Sequence, residues 1–200
     1  TDMDALADAP PVLKARLLAN ENPFGPSPAA KKAIQEAIDL GYQYPMQSMG
    51  MLYDKIASYE GISSGNILME SGSSPLLLAA AMYYSKGGKS IITGDPSYDD
   101  LPSHAEKLEG KWVKVPLTAE YKLDLDAMEA KIDANTGLVY ICNPNNPTAT
   151  ILDTAKLKAF CERVSKKVTV FVDEAYIDYL PDPKGSSMIG TMKAGSNIIV

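Results

Sequence analysis

Residues 138–176 read LVYICNPNNPTATILDTAKLKAFCERVSKKVTVFVDEAY, and this stretch decides the fold. An apolar run, Leu138 to Cys142, leaves into the loop Asn143-Pro144-Asn145-Asn146-Pro147-Thr148. Asp153 then caps a helix bearing Leu157, Phe160, Cys161 and Val164, and a second run, Val168 to Val172, leaves into Asp173-Glu174-Ala175-Tyr176. Both runs are apolar on both faces, as expected of strands covered by helices on either side.

Outward from this unit the alternation persists from Asn66 to the end of the chain, which predicts an α/β three-layer sandwich with a mostly parallel sheet. The other expected strands are Ile67 to Glu70, Ser90 to Thr93, Trp112 to Val115 and Asn197 to Val200. Expected helices begin at Ser27-Pro28, with Ile34, Ala37 and Ile38 on one face, and at Ser48, with Leu52, Ile56 and Tyr59 inward. Others begin at Ser74-Pro75, with Ser74 as the cap, at Tyr98, and at Asp124. Before Ser27 the prolines of Ala9-Pro10-Pro11 and Asn22-Pro23-Phe24-Gly25-Pro26 forbid a helix or a central strand. Residues 1–26 are therefore read as an extended arm, and 27–200 as one incomplete large domain.

The chain has 200 residues, 25 acidic and 19 basic side chains, and a net charge of −6. With no Lys/Arg cluster, that balance argues against nucleic acid as a partner. Cys142 and Cys161 sit in apolar patterns and His104 is the single histidine, so neither a disulfide framework nor a metal site is expected. The longest apolar stretch, Leu76 to Tyr84, is far short of a membrane span, and Thr1 to Asp8 shows no signal pattern. A cytoplasmic setting is the expectation, although a start at Thr leaves room for a removed leader.

Three polar clusters follow predicted strands, the edge at which open parallel sheets bind ligands. Gly72-Ser73-Ser74-Pro75 offers hydroxyls and amides at a helix start, where an anion is favoured; a plain helix cap is the competing reading. Asn143 to Thr148 presents amide side chains from a loop held by prolines. Asp173 and Glu174 leave a buried strand, so a cation is expected opposite Asp173.

Taken in order, Asn20-Glu21-Asn22-Pro23, Tyr44-Pro45, Asn145-Asn146-Pro147-Thr148 and Asp173-Glu174-Ala175-Tyr176 resemble the fold-type-I pyridoxal-phosphate aminotransferases, most closely the histidinol-phosphate aminotransferases. The resemblance implies a seven-stranded large domain, a small second domain beyond the chain end, and a homodimer with composite active sites. It implies that Gly72, Ser73 and Ser74 hold the cofactor phosphate and that Tyr98 stacks on the pyridine ring. Asn146 and Tyr176 would donate to the ring's phenolic oxygen, and Asp173 would pair with the protonated ring nitrogen. Tyr44 would reach the cofactor phosphate of the other subunit, and Asn22 and Phe24 would lie near substrate. The substrates implied are an amino acid or amine resembling histidinol phosphate and a 2-oxo acid such as 2-oxoglutarate.

The chain departs from the family pattern at Ala149, where glycine is usual, at Ser74-Pro75, where an acidic pair is usual, and at Phe24, where tyrosine is usual. The family's Schiff-base lysine falls in a segment expected beyond Val200. A decarboxylase or aromatic amino-acid aminotransferase on the same scaffold, and a non-catalytic cofactor-binding module, are the alternatives. A serine hydrolase is disfavoured because Gly72-Ser73-Ser74-Pro75 is not a G-x-S-x-G elbow.

Overall fold

The structure is a computed structural model that describes residues 18–200; the Ala9-Pro10-Pro11 part of the expected arm lies outside them. The chain divides into two compact units, with the division falling between Met51 and Leu52 in the sequence. In the first, Asn22 folds the chain back on itself. Its Oδ1 accepts from the Phe24 amide at 3.0 Å, and its Nδ2 donates to the Gly25 carbonyl at 3.3 Å. No helix runs through 21–26, as the prolines there require. Helix α1 spans Pro28–Ala37, and Ser27 caps it by accepting from the Ala30 amide at 3.2 Å. Its apolar face is not buried: Ile34 and Ile38 are 58% and 65% exposed.

Helix α2, Met46–Glu60, begins ahead of the expected Ser48. Of its expected inward residues only Ile56 is half-buried; Leu52 and Tyr59 are exposed, and Ala57 is the buried position.

The second unit contains the sheet. Helix α3 spans Ser74–Tyr84, followed by β1 Ser90–Asp95, α4 Asp100–Lys107, β2 Lys111–Pro116, α5 Leu125–Ala130 and β3 Thr136–Cys142. Then come α6 Thr154–Val164, β4 Thr169–Asp173, α7 Pro183–Ser186, α8 Ile189–Lys193 and β5 Ile198–Ile199. The strands lie in the order β2-β1-β3-β4-β5, and every pairing is parallel. Asp124 and Asp153 cap α5 and α6, accepting from Ala127 and Lys156 amides at 2.9 Å each. Caps of this type stabilise by about 1 kcal/mol.

Three expectations are corrected. Ile67 to Glu70 forms no ladder: Leu68 is exposed, and the Met69 amide donates to the Tyr53 hydroxyl at 3.2 Å. Strand-like composition needs a neighbouring edge, and no described strand offers one there. The cap of α3 is Ser73 rather than Ser74, and its hydroxyl makes no capping bond. Helix α4 also begins after Tyr98, which leaves that residue in the loop.

Alternation along β3 assigns side chains to two layers. Leu138, Tyr140 and Cys142 pack with Leu77, Ala81, Leu101 and Ala105 of α3 and α4. Val139 and Ile141 face the opposite layer, with Met128, Leu157, Phe160 and Val164 of α5 and α6. Each large side chain so buried is worth about 1.5–3 kcal/mol relative to exposure. Among the described residues no helix is long and apolar enough to cross a membrane.

Gly137 lets α3 approach this sheet. A Cβ at that position runs into the Tyr84 carbonyl at the end of α3, a backbone atom that cannot rotate away. Gly137→Ala should therefore destabilise the protein by about 1–3 kcal/mol, read as a lower denaturant midpoint at unchanged m; an unchanged midpoint would show that the helix end yields freely.

Candidate active site at the carboxyl ends of the strands

Strand order reverses between β1 and β3, because the chain passes outward from β1 to β2 and then returns across β1 to β3. The loops leaving β1 and β3 consequently diverge and open a crevice. One amide braces them. Asn145, 3% exposed, accepts from the Ser97 hydroxyl at 2.7 Å and donates to the Pro96 carbonyl at 3.2 Å and the Thr148 hydroxyl at 2.8 Å. The Asn145 backbone amide donates to the Thr150 carbonyl and its carbonyl accepts from Ala149. Asn143 Oδ1 accepts from the Leu152 amide at 2.9 Å. The peptide bonds 95–96, 143–144 and 146–147 are cis.

Asp173 ends β4 opposite Cys142 and is 7% exposed. Its Oδ2 accepts from the Tyr140 hydroxyl at 2.8 Å and its Oδ1 from the Ala175 amide at 3.1 Å. Among the described residues, no Lys, Arg or His supplies the cation expected opposite it. Burial pushes the Cys142 thiol up to about 12, so it remains protonated near neutral pH. The Cys142 thiol donates to the Pro144 carbonyl at 3.4 Å.

Several of the expected site residues interact with one another. Asn146 Nδ2 donates to the Tyr176 hydroxyl at 3.5 Å, and the Tyr98 phenol interacts electrostatically with Asp173 and Tyr176. Burial, then Asp100, raises the Tyr98 phenol against the opposing effect of Ser74. Gly72 has φ +92, and a Cβ there meets nothing within 4 Å, so its φ and not crowding favours glycine. Its amide already donates to the Glu70 carbonyl at 2.8 Å. The donors left at the start of α3 are the Ser74 and Leu76 amides, which have no backbone acceptor among the described residues, together with the exposed hydroxyls of Ser73 and Ser74. Glu174 supports the fold instead, since its Oε1 accepts from the Met188 amide at 2.6 Å; burial raises its carboxyl.

Asn22, Phe24 and Tyr44 lie in the first unit; Asn22 is committed to its own turn, and Phe24 and Tyr44 are 90% and 92% exposed. Two lysines are engaged elsewhere: Lys167 pairs with Glu129 at 2.9 Å, and Lys184 donates to the Tyr59 carbonyl at 2.9 Å. Tyr140, Ser97 and Asn145 were not among the expected site residues. Only Asn145 carried a sequence signal, its place beside Asn146 between two prolines.

A buried carboxylate with two neutral donors and no cation among the described residues fits a ligand that brings its own protonated nitrogen. The open amides and hydroxyls at the start of α3 fit a phosphate. These are the two ends of pyridoxal phosphate.

The family model for class I and II aminotransferases matches residues 14–200. Histidinol-phosphate aminotransferase of Moorella thermoacetica is 37% identical over 186 residues, covering 92% of this chain and 48% of that protein. Aromatic amino acid aminotransferase of Mycolicibacterium vanbaalenii is 34% identical over 185 residues, covering 92% and 52%. The structure of histidinol-phosphate aminotransferase from Sinorhizobium meliloti in complex with pyridoxal-5'-phosphate matches with a TM-score of 0.77 at 27% identity, over 83% of this chain and 45% of that one. This chain belongs to the class I and II aminotransferases, a pyridoxal-phosphate-dependent family. It spans about half the length of the curated relatives it matches.

Ala149, at the position where the family usually has glycine, has φ +55. An L-residue held there costs about 1–2 kcal/mol, part of which glycine loses again through greater freedom in the unfolded chain. Ala149→Gly should raise stability by up to about 1 kcal/mol, seen as a higher melting temperature; a lower one would show that the strain at this loop is already relieved.

Proposed function

We propose that this chain provides the cofactor-binding region of an aminotransferase that moves an amino group between an amine resembling histidinol phosphate and a 2-oxo acid such as 2-oxoglutarate. The observation that carries the reading is Asp173, a buried carboxylate without a protein cation among the described residues. Bound pyridoxal phosphate supplies an electron sink for the substrate's α-carbon. Asp173 keeps the proton on the ring nitrogen, because its negative charge favours the protonated form. Asn146 and Tyr176 donate to the ring's phenolic oxygen, and Tyr98 covers a ring face. The Ser73 and Ser74 hydroxyls and the first amides of α3 hold the phosphate, whose charge the helix start favours.

The functional unit is a homodimer in this reading. The exposed apolar residues Ile34 and Ile38 of α1 supply a surface to bury, and the exposed Tyr44 is free to reach a second copy's cofactor phosphate. Asn22 and Phe24 contribute to the substrate side. Phe24 also favours a second reading. It lacks the hydroxyl usual in the family, and the relative from Mycolicibacterium vanbaalenii is named an aromatic amino acid aminotransferase, so phenylalanine or tyrosine is the alternative donor.

The test is a donor panel of histidinol phosphate, phenylalanine and tyrosine, each with 2-oxoglutarate, on the holoenzyme and on Asp173→Ala. The variant should lose at least a hundredfold in kcat/KM with every accepted donor, about 2.7 kcal/mol of transition-state stabilisation or more. Near-normal turnover of Asp173→Ala would remove the aspartate from the mechanism, and the preferred donor decides between the two readings.

A further inference from the structure

Tyr140 is fully buried in β3, and its neighbours Leu138 and Cys142 on the same face are apolar. Its ring packs against Phe171 on the neighbouring strand, with centroids 5.7 Å apart. Phenylalanine could make that contact equally well, so packing alone does not explain the hydroxyl. A buried hydroxyl needs a hydrogen-bond partner, and the one this hydroxyl has is Asp173 Oδ2 at 2.8 Å.

Register explains how the two meet. Tyr140 pairs with Phe171 and Cys142 with Asp173, so Tyr140 and Asp173 point to the same side of the sheet, one pair apart along it. The Ala175 amide holds Oδ1 and the Tyr140 hydroxyl holds Oδ2, which pins the plane of the carboxylate from both sides. Each oxygen keeps a lone pair for one further donor. Among the described residues, Tyr98, Cys142 and Glu174 also interact electrostatically with Asp173, and none of these three is a cation. Burial and the Asp173 charge push the Tyr140 phenol far up, so it is a donor across the whole working pH range.

We propose that Tyr140 is a positioning residue that fixes the Asp173 carboxylate for the ring nitrogen of pyridoxal phosphate. It can act this way only if Asp173 is the ring-nitrogen partner, the assignment on which this inference rests.

The test measures dissociation constants of the apo-protein for pyridoxal phosphate and for its 1-deaza analogue, in which a C–H replaces the ring nitrogen. Wild type, Tyr140→Phe and Asp173→Asn are compared. Tyr140→Phe should weaken pyridoxal phosphate about tenfold, the scale of a hydrogen bond to a charged group, while leaving the deaza analogue within about twofold, because the loss passes only through the nitrogen. A purely structural role weakens both ligands alike, and that result, or no weakening of either, overturns the proposal. Asp173→Asn separates the two levels. If it binds both ligands as wild type does, the Asp173 assignment itself falls; if it loses the preference for pyridoxal phosphate while Tyr140→Phe keeps it, the Tyr140 role alone falls. Should Tyr140→Phe not fold, 3-fluorotyrosine incorporated at position 140 retains the ring and strengthens the donor. Its affinity for pyridoxal phosphate should change while that for the deaza analogue does not, and no change for either overturns the proposal.

Discussion

The parallel pairing of β3 with β4 is the constraint on which the rest depends. Five consecutive pairs run from Leu138↔Thr169 to Cys142↔Asp173. A slip of one residue turns Asp173 to the opposite face and carries every apolar side chain of β4 with it. The register is held because Val170 and Val172 are buried in one layer and Phe171 in the other, so a slip exchanges two packed cores at once. The same burial that specifies the sheet thus delivers a carboxylate to its edge. No flexible segment has to find that position.

A second layer of organisation comes from chain order. The return of the chain across β1 separates the loops after β1 and β3, and the crevice between them receives side chains from both. Tyr98 arrives from one and Asn146 from the other, and the Cys142 thiol donates to the Pro144 carbonyl in the loop after β3 at 3.4 Å. The thiol is a spacer with a weak hydrogen-bonding capacity in this setting. Its raised pKa near 12 marks it as inert.

Most strands and caps could be read from the sequence, because each rested on a local cause. Ser27, Asp124 and Asp153 each precede a helix by one position and accept the expected amide. Central strands announced themselves as two-sided apolar runs. What could not be read depended on neighbours. Ile67 to Glu70 has strand composition but no adjacent edge, and the apolar face of α1 is exposed in this chain. Within the site, Asp173, Asn146 and Tyr176 were visible as polar residues after strands, whereas Tyr98 entered only through the family resemblance. Tyr140 was not, since a tyrosine inside an apolar strand has the same local signature whether its hydroxyl meets a carboxylate or solvent; only the register distinguishes them.

The Asn145 brace has a consequence for motion. Its side chain joins the loop after β1 to the loop after β3 through Ser97 and Pro96 on one side and Thr148 on the other. Two loops tied through a single buried amide do not fluctuate independently, because loosening either first exposes or orphans the same group. They behave as one local unfolding unit, opened by the same rare event and closed together. Tyr98 and Asn146, carried on separate arms of that unit, keep their relative placement while the surface around them breathes, and slow amide exchange should appear across both loops with one shared opening free energy.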